Sequence, residues 1–216
     1  LGIQINEVYG MTETTGILAT TSPSNRKFGT VGKPLEGIEI KIASDGEIIA
    51  RGPALTKGYM HMPAETAELW EGGWLHTGDI GVFDADGNLK ITDRKKDLII
   101  TAGAKNVAPQ PLEAMLKRID GVSQAVVVGD KKPYLIALLA IDSLAIDALN
   151  EKLGLSAGNS NELNASKIFQ EYIAKELDLV NAKTAKFENI GRFKVLENDF
   201  TVENGELTPT MKMKRK

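Results

Sequence analysis

The stretch from Lys90 to Pro109 constrains this chain more than any other: Lys90-Ile91-Thr92-Asp93-Arg94-Lys95-Lys96-Asp97-Leu98-Ile99-Ile100-Thr101-Ala102-Gly103-Ala104-Lys105-Asn106-Val107-Ala108-Pro109. Apolar runs at residues 89–92 and 98–101 read as short strands flanking a charged turn, residues 93–97. Such a turn is solvated by default, and a hairpin tip is its simplest reading. The residues just beyond point further. Gly103 and the run 106–109 end the second strand sharply, and a helix is expected from Pro111. A basic turn beside a glycine-broken loop suits contact with phosphate or ribose oxygens. The texture also changes here, from paired strands to mixed helix and strand. Two domains are therefore expected, residues 1–93 and 94–216.

A length of 216 residues accommodates two small domains, and 42% hydrophobic with 25% charged residues is the make-up of an ordinary globular protein. The net charge of −3 gives no global attraction to nucleic acid or anionic membrane. With no cysteine, disulfides, thiolate metal sites and a cysteine nucleophile are excluded, and a cytoplasmic setting is weakly favoured. No apolar run approaches the roughly 18 residues of a membrane span. The start, Leu1-Gly2-Ile3-Gln4-Ile5, has no signal-peptide pattern and no Met, as expected of a processed or excised piece.

Residues 1–8 alternate apolar and polar and predict a strand leading into Tyr9-Gly10-Met11-Thr12-Glu13-Thr14-Thr15-Gly16. A Gly/Thr loop is the plain reading, yet a ring face, a hydroxyl and a hard carboxylate oxygen together suit a nucleotide with magnesium. Gly29 and Gly32 form no phosphate loop, because the Gly-Lys-Ser/Thr ending is absent. Ile38, Ile40 and Ile42, an Asp45-Gly46 turn and residues 47–51 predict a hairpin; residues 80–83 and 89–92 around Asp84-Ala85-Asp86-Gly87 predict a second. That second tip misses the glycine position and distal Glu of a calcium loop. A short helix is expected near residues 64–70. In Trp74-Leu75-His76-Thr77-Gly78-Asp79, an Asp after a Gly is usually a turn residue, although a carboxylate can accept both ribose hydroxyls. His61 and His76 have no partner at metal or triad spacing and read as structural.

Past the central stretch, Leu112, Met115, Leu116 and Ile119 trace an amphipathic helix. Residues 124–128 and 134–141 read as buried strands covered by helices. Further helices are expected at 143–153 and through Phe169, Tyr172, Ile173, Leu177 and Val180, with a last strand at 192–196 and a basic tail at 208–216. Such a tail is by default a solvated terminus.

Four stretches, in order from Tyr9 to Lys212, resemble the adenylate-forming superfamily of acyl- and aryl-CoA synthetases, luciferases and peptide-synthetase adenylation units. They are Tyr9–Glu13, Trp74–Asp79, the central stretch and Leu207-Thr208-Pro209-Thr210-Met211-Lys212. The Lys-Asn-Val-Ala-Pro-Gln-Pro run from Lys105 and the tail are most similar to long-chain fatty acyl-CoA synthetases. The resemblance implies an α+β chain: the strand-rich end of a large AMP-binding domain, then a small mixed α/β C-terminal domain. It implies that Tyr9 packs on adenine within a nucleotide-contacting stretch that includes Gly10 and Met11. Thr12 would reach the α-phosphate, Glu13 the magnesium ion and Asp79 the ribose. Arg94 would belong to the nucleotide site, Lys96 would be the hinge, and the Gly103 loop would admit the pantetheine arm of coenzyme A. Lys212 would be the catalytic lysine of adenylation, with Met211 where most of the superfamily has Gly.

The superfamily's phosphate loop and an acyl tunnel have no counterpart here, so the resemblance places both upstream of Leu1, in the rest of a large domain that is this chain's partner. The implied activity is ATP-dependent ligation of a fatty acid to CoA, through an acyl-adenylate, by an isolated fragment that is itself inactive. No nucleic acid and no membrane span enter this reading, though peripheral membrane contact of the full-length enzyme fits it. The alternatives are an aryl- or short-acyl-CoA ligase, a carrier-protein adenylation unit, or a non-catalytic nucleotide-binding module using the basic tail. Titrating ATP, CoA and nucleic acid by calorimetry separates them.

Overall fold

The computed structural model describes residues 3–209 together with Met213 and Lys214. The chain divides into two compact units, residues 1–96 and 97–216. The division follows Lys96, where the sequence reading put it after Asp93.

The first unit is built from antiparallel strands. Strands β1 (Val8–Met11), β2 (Gly16–Thr20) and β3 (Lys33–Pro34) form one sheet in that order. The second sheet holds β4 (Glu39–Ile42), β5 (Glu47–Arg51), β6 (Trp70–Glu71), β7 (Trp74–Phe83) and β8 (Leu89–Arg94), with helix α1 (Pro63–Leu69) before β6. Its order is β4-β5-β7-β6, and β8 pairs with β7 beyond β6. Both expected hairpins form, with Ile42 opposite Ile48 and Phe83 opposite Leu89. The core gathers Tyr9, Leu18, Ala19, Ile48, Ala50 and Leu89. On β7 the buried residues are Leu75, Thr77, Asp79 and Gly81, the period of two that a half-buried strand requires. Two polar side chains therefore point into the buried side.

Two expectations change. Residues 3–7 lie outside any strand, and pairing starts at Val8 opposite Thr20. Their alternating Ile3 and Ile5 are exposed, and among the described residues no strand pairs with them. The strands around the charged turn also do not pair with each other. β8 belongs to the first unit, a single 3-10 turn spans Lys95–Asp97, and β9 (Ile99–Ile100) pairs with β10 (Asn106–Val107).

The second unit has a three-stranded sheet, β11 (Val122–Val128), β12 (Leu135–Ile141) and β13 (Ile190–Val195), with β12 in the middle. β11 runs antiparallel to β12 and β13 parallel to it. A parallel neighbour needs a long crossover. It is supplied by α3 (Ile146–Leu153), α4 (Ser160–Ala165) and α5 (Lys167–Asn181). Helix α2 (Pro109–Leu116) precedes the sheet and begins at Pro109, two residues before the expected Pro111, because proline's fixed φ suits a first helical turn. Leu112 and Leu116 of α2, Phe169, Ile173 and Leu177 of α5 and the inward residues of β12 share one core. Phe169 is fully buried there. Phe169→Ala should cost about 3–5 kcal/mol in the unfolding free energy of this unit, measured by denaturant titration.

Candidate functional site

The first unit brings three remote segments to one place. Tyr9 lies on β1 at a register shift between Tyr9 and Gly10. Gly10 has to be glycine: a Cβ there would run into the carbonyl of Gly16 on β2. The chain then turns through a 3-10 turn, Thr12–Thr14, and Thr15 takes a left-handed φ of 56°. Buried Thr14 holds this turn, its hydroxyl accepting from the Met11 N–H at 2.9 Å and lying 2.9 Å from the carbonyls of Met11 and Gly16. Thr12 is left exposed and Glu13 half-buried. The Tyr59 hydroxyl donates to Glu13 Oε1 at 2.6 Å, and the Thr56 N–H donates to the Glu13 carbonyl at 2.8 Å. The bond to Glu13 also raises the Tyr59 hydroxyl above the usual tyrosine range.

The Tyr9 hydroxyl donates to Asp79 Oδ2 at 2.9 Å, a buried bond between residues seventy apart in sequence. Arg94 Nε meets Asp79 Oδ1 at 3.1 Å, and the two are register partners across β7 and β8. Tyr9 and Asp79 are 6% and 7% exposed, whereas the Arg94 side chain is half exposed. Burial, then the Asp79 charge, pushes the Tyr9 hydroxyl far above its ordinary value, only partly offset by a bond with Thr77.

A second carboxylate, missed by sequence reasoning, lies on the other face of β7. Glu47 is 2% exposed. Its Oε1 accepts from the Gly78 N–H at 2.8 Å; its Oε2 accepts from Lys95 Nζ at 2.8 Å and lies 2.7 Å from His76 Nδ1. Lys95 also reaches Asp45 Oδ2 at 2.7 Å. Burial alone would raise the Glu47 carboxyl, but the bonds from Lys95, His76 and Gly78 bring it below the ordinary value. Asp45, first, and Glu47 hold Lys95 above its own. His76 thus has a hydrogen-bond partner, Glu47, 29 residues away. Nothing in the local pattern of Glu47, a strand residue after a turn, announces partners 29 and 48 positions on.

Tyr9, Asp79 and Arg94 therefore meet, and Gly10, Met11, Thr12 and Glu13 follow directly on the same loop. Met11, Glu47, Tyr59, His76, Thr77 and Gly78 are among the residues lining a cleft of about 570 Å³. A smaller one of about 340 Å³ is lined by Thr77, Gly78, Arg94, Lys95 and Lys96. Lys96 is exposed at the end of the first unit. Gly103 sits in the second unit, between β9 and β10, where a Cβ would meet the Thr101 hydroxyl at an ordinary 3.9 Å. Lys212 lies outside the described residues. Glu13 has the chemistry for magnesium: a hard carboxylate, one oxygen oriented by Tyr59, on an accessible turn. No helix among the described residues is long and apolar enough to cross a membrane.

Residues 1–60 match the family described as AMP-binding enzyme, and residues 96–216 match the AMP-binding enzyme C-terminal domain. The whole chain is 44% identical to a long-chain-fatty-acid–CoA ligase, FadD15, of Mycobacterium bovis, covering 36% of that protein. It is 36% identical to the human long-chain-fatty-acid–CoA ligase ACSBG1, covering 33% of it. The chain thus spans about a third of the length of these curated relatives. Among solved structures, O-succinylbenzoate coenzyme A synthetase from Bacillus subtilis with its acyl-adenylate intermediate OSB-AMP is 28% identical. The match has a TM-score of 0.67 and covers 98% of this chain and 40% of that one.

A tyrosine whose folded-state pKa is raised contributes stability that is complete below the unfolded value and is lost progressively as pH rises from there through the folded value. Unfolding free energy should therefore fall above about pH 10 as the Tyr9 bond to Asp79 is threatened. Tyr9→Phe should remove part of this alkaline fall, read by denaturant titrations across pH 8–11.

Proposed function

We propose, starting from the fact that this chain belongs to the AMP-binding enzyme family, that it carries the nucleotide-contacting edge and the C-terminal domain of an ATP-dependent long-chain fatty acyl-CoA ligase. The observation that carries the reading is the convergence of Tyr9, Asp79 and Arg94 beside the Thr12–Glu13 turn. Tyr9, packed into the core with its hydroxyl committed, is a fixed wall for adenine. Asp79 accepts the ribose hydroxyls, and the half-exposed Arg94 yields room at the carboxylate. The Thr12 hydroxyl, presented outward by the buried Thr14, donates to the α-phosphate. Glu13 holds a magnesium ion, which when bound draws charge from the phosphate oxygens.

The reaction joins two anions. A fatty carboxylate attacks the α-phosphorus of ATP, pyrophosphate leaves, and the CoA thiol then displaces AMP from the acyl-adenylate. Lys212 neutralises the charge that develops between carboxylate and α-phosphate, which lowers the barrier rather than only aiding binding. The chain works as part of a longer polypeptide, whose other segments grip the β- and γ-phosphates and line the acyl site. Rotation about Lys96 withdraws Lys212 and brings in the Gly103 loop to admit the pantetheine arm of CoA. The identity to ligases named for long-chain fatty acids supports that substrate class over an aryl acid. The setting proposed is the cytoplasm, with peripheral membrane contact for the full-length enzyme.

The test is an assay of the full-length polypeptide with ATP, magnesium, CoA and a long-chain fatty acid; failure to release AMP and form acyl-CoA refutes the reading. In that protein Lys212→Ala should slow adenylation about 10²–10³-fold, the scale of one transition-state donor. Thioester formation from preformed acyl-adenylate should stay nearly unchanged. If Lys214→Ala gives this split instead, the register of the tail is wrong. Lys96→Pro should impair thioester formation more than adenylation, because a pivot absorbs its rotation in very few dihedrals. Equal loss of both half-reactions would remove Lys96 as the hinge.

A further inference from the structure

On its β5 side the Thr77-Gly78-Asp79 segment is not held by the ordinary ladder of its strand, although Asp79 pairs with Arg94 on the β8 side. The register of β5 against β7 shifts between Glu47 and Ile49, opposite this segment. Gly78 sits there at a φ of 72°. Its N–H turns to the Glu47 side chain. Thr77 donates its hydroxyl to the Ile48 carbonyl at 2.7 Å and accepts from the Asp79 N–H at 3.2 Å. On that side such side-chain bonds take the place of the missing ladder bonds.

We propose that Glu47 is the positioning residue of the Asp79–Arg94 pair, one buried carboxylate fixing the backbone just before Asp79 and the side chain just after Arg94. The inference rests on the reading of Asp79 as a ribose ligand. Oε1 takes Gly78, the neighbour of Asp79; Oε2 takes Lys95, the neighbour of Arg94. Because Asp79 and Arg94 face each other in register, both flanks of the pair are clamped from one point. Satisfying the Gly78 N–H alone would need a single neutral acceptor. The second oxygen binds a cation and His76, and that use requires the negative charge. The carboxylate's hydrogen bonds go to the neighbours of the pair, so it acts through the placement of Asp79.

Glu47→Gln separates these roles. A glutamine keeps an acceptor for Gly78 but turns an amide toward Lys95 and His76. In the full-length polypeptide, calorimetry with AMP should show binding weakened about 10–100-fold, the scale of losing an orienting partner. Lys95→Met, which removes only the partly exposed cation, should weaken AMP binding about 2–5-fold, the scale of one such ion pair. Asp79→Asn is the control for the reading beneath. If Asp79→Asn weakens AMP binding and Glu47→Gln does not, the positioning role is overturned and the nucleotide site stands. If Asp79→Asn leaves AMP binding intact, both fall. A lower thermal midpoint for Glu47→Gln at unchanged AMP affinity makes Glu47 merely structural and overturns the proposal. Should Glu47→Gln not fold, Lys95→Met decides, and unchanged AMP affinity in that variant overturns it.

Discussion

A carboxylate on the buried face of a strand must be paired, because leaving it unpaired costs more than a small core can return. Asp79 occupies such a position on β7, in line with Leu75 and Thr77. Its two oxygens are satisfied by Tyr9 from β1 and Arg94 from β8. Much of the first unit follows from that requirement. β1 has to lie where a phenol can reach, and beside that phenol Gly10, having no side chain, lets β1 lie close against Gly16 of β2. The tyrosine has to keep its proton, which its burial enforces. Arg94 has to stand opposite Asp79, which the β7–β8 register provides. The atoms that stabilise this unit are those the proposed nucleotide site uses, so folding and binding constrain the same residues.

The strands of this unit were legible because their turns carry local chemistry. Asp45-Gly46 and Asp84-Ala85-Asp86-Gly87 mark hairpins, and alternating isoleucines set the face. The amphipathic helices of the second unit were legible for the same reason. What the pattern lacked was long-range information. Residues 3–7 alternate as a strand should, yet alternation supplies no pairing partner. Residues 89–101 resemble a hairpin, yet their halves belong to different units. The parallel pairing of β13 with β12 is invisible locally, since three helices separate them. Within the site, Tyr9, Thr12, Glu13, Asp79 and Arg94 came from motif resemblance. Glu47 did not, because its role exists only through residues brought to it by the fold.

The charged stretch illustrates why a local default can mislead. A run of Asp, Arg and Lys reads as a solvated tip, yet Asp93, Arg94 and Lys95 are instead committed. Asp93 is buried and its Oδ1 accepts from the Arg94 N–H at 2.7 Å. Arg94 is held by Asp79, and Lys95 by Asp45 and Glu47. Lys96, the next residue, is exposed, and the first compact unit ends there.

That sequence of attachments bears on the proposed pivot. A rotation spread over several loosely held residues would place a distant catalytic lysine imprecisely, and a misplacement of about 1 Å can cost a hundredfold in rate. Rotation confined to one residue needs the residue before it to be anchored. Lys95 would meet that need, its ammonium held between two carboxylates of β5 and its turn, directly before the proposed pivot Lys96. The same Glu47 oxygen that anchors Lys95 belongs to the carboxylate that fixes Gly78 before Asp79. On this reading the start of the pivot and the ribose ligand share a single support. Loosening the support of Lys95 would loosen that of Gly78 as well, since both bonds end on the one Glu47 carboxylate.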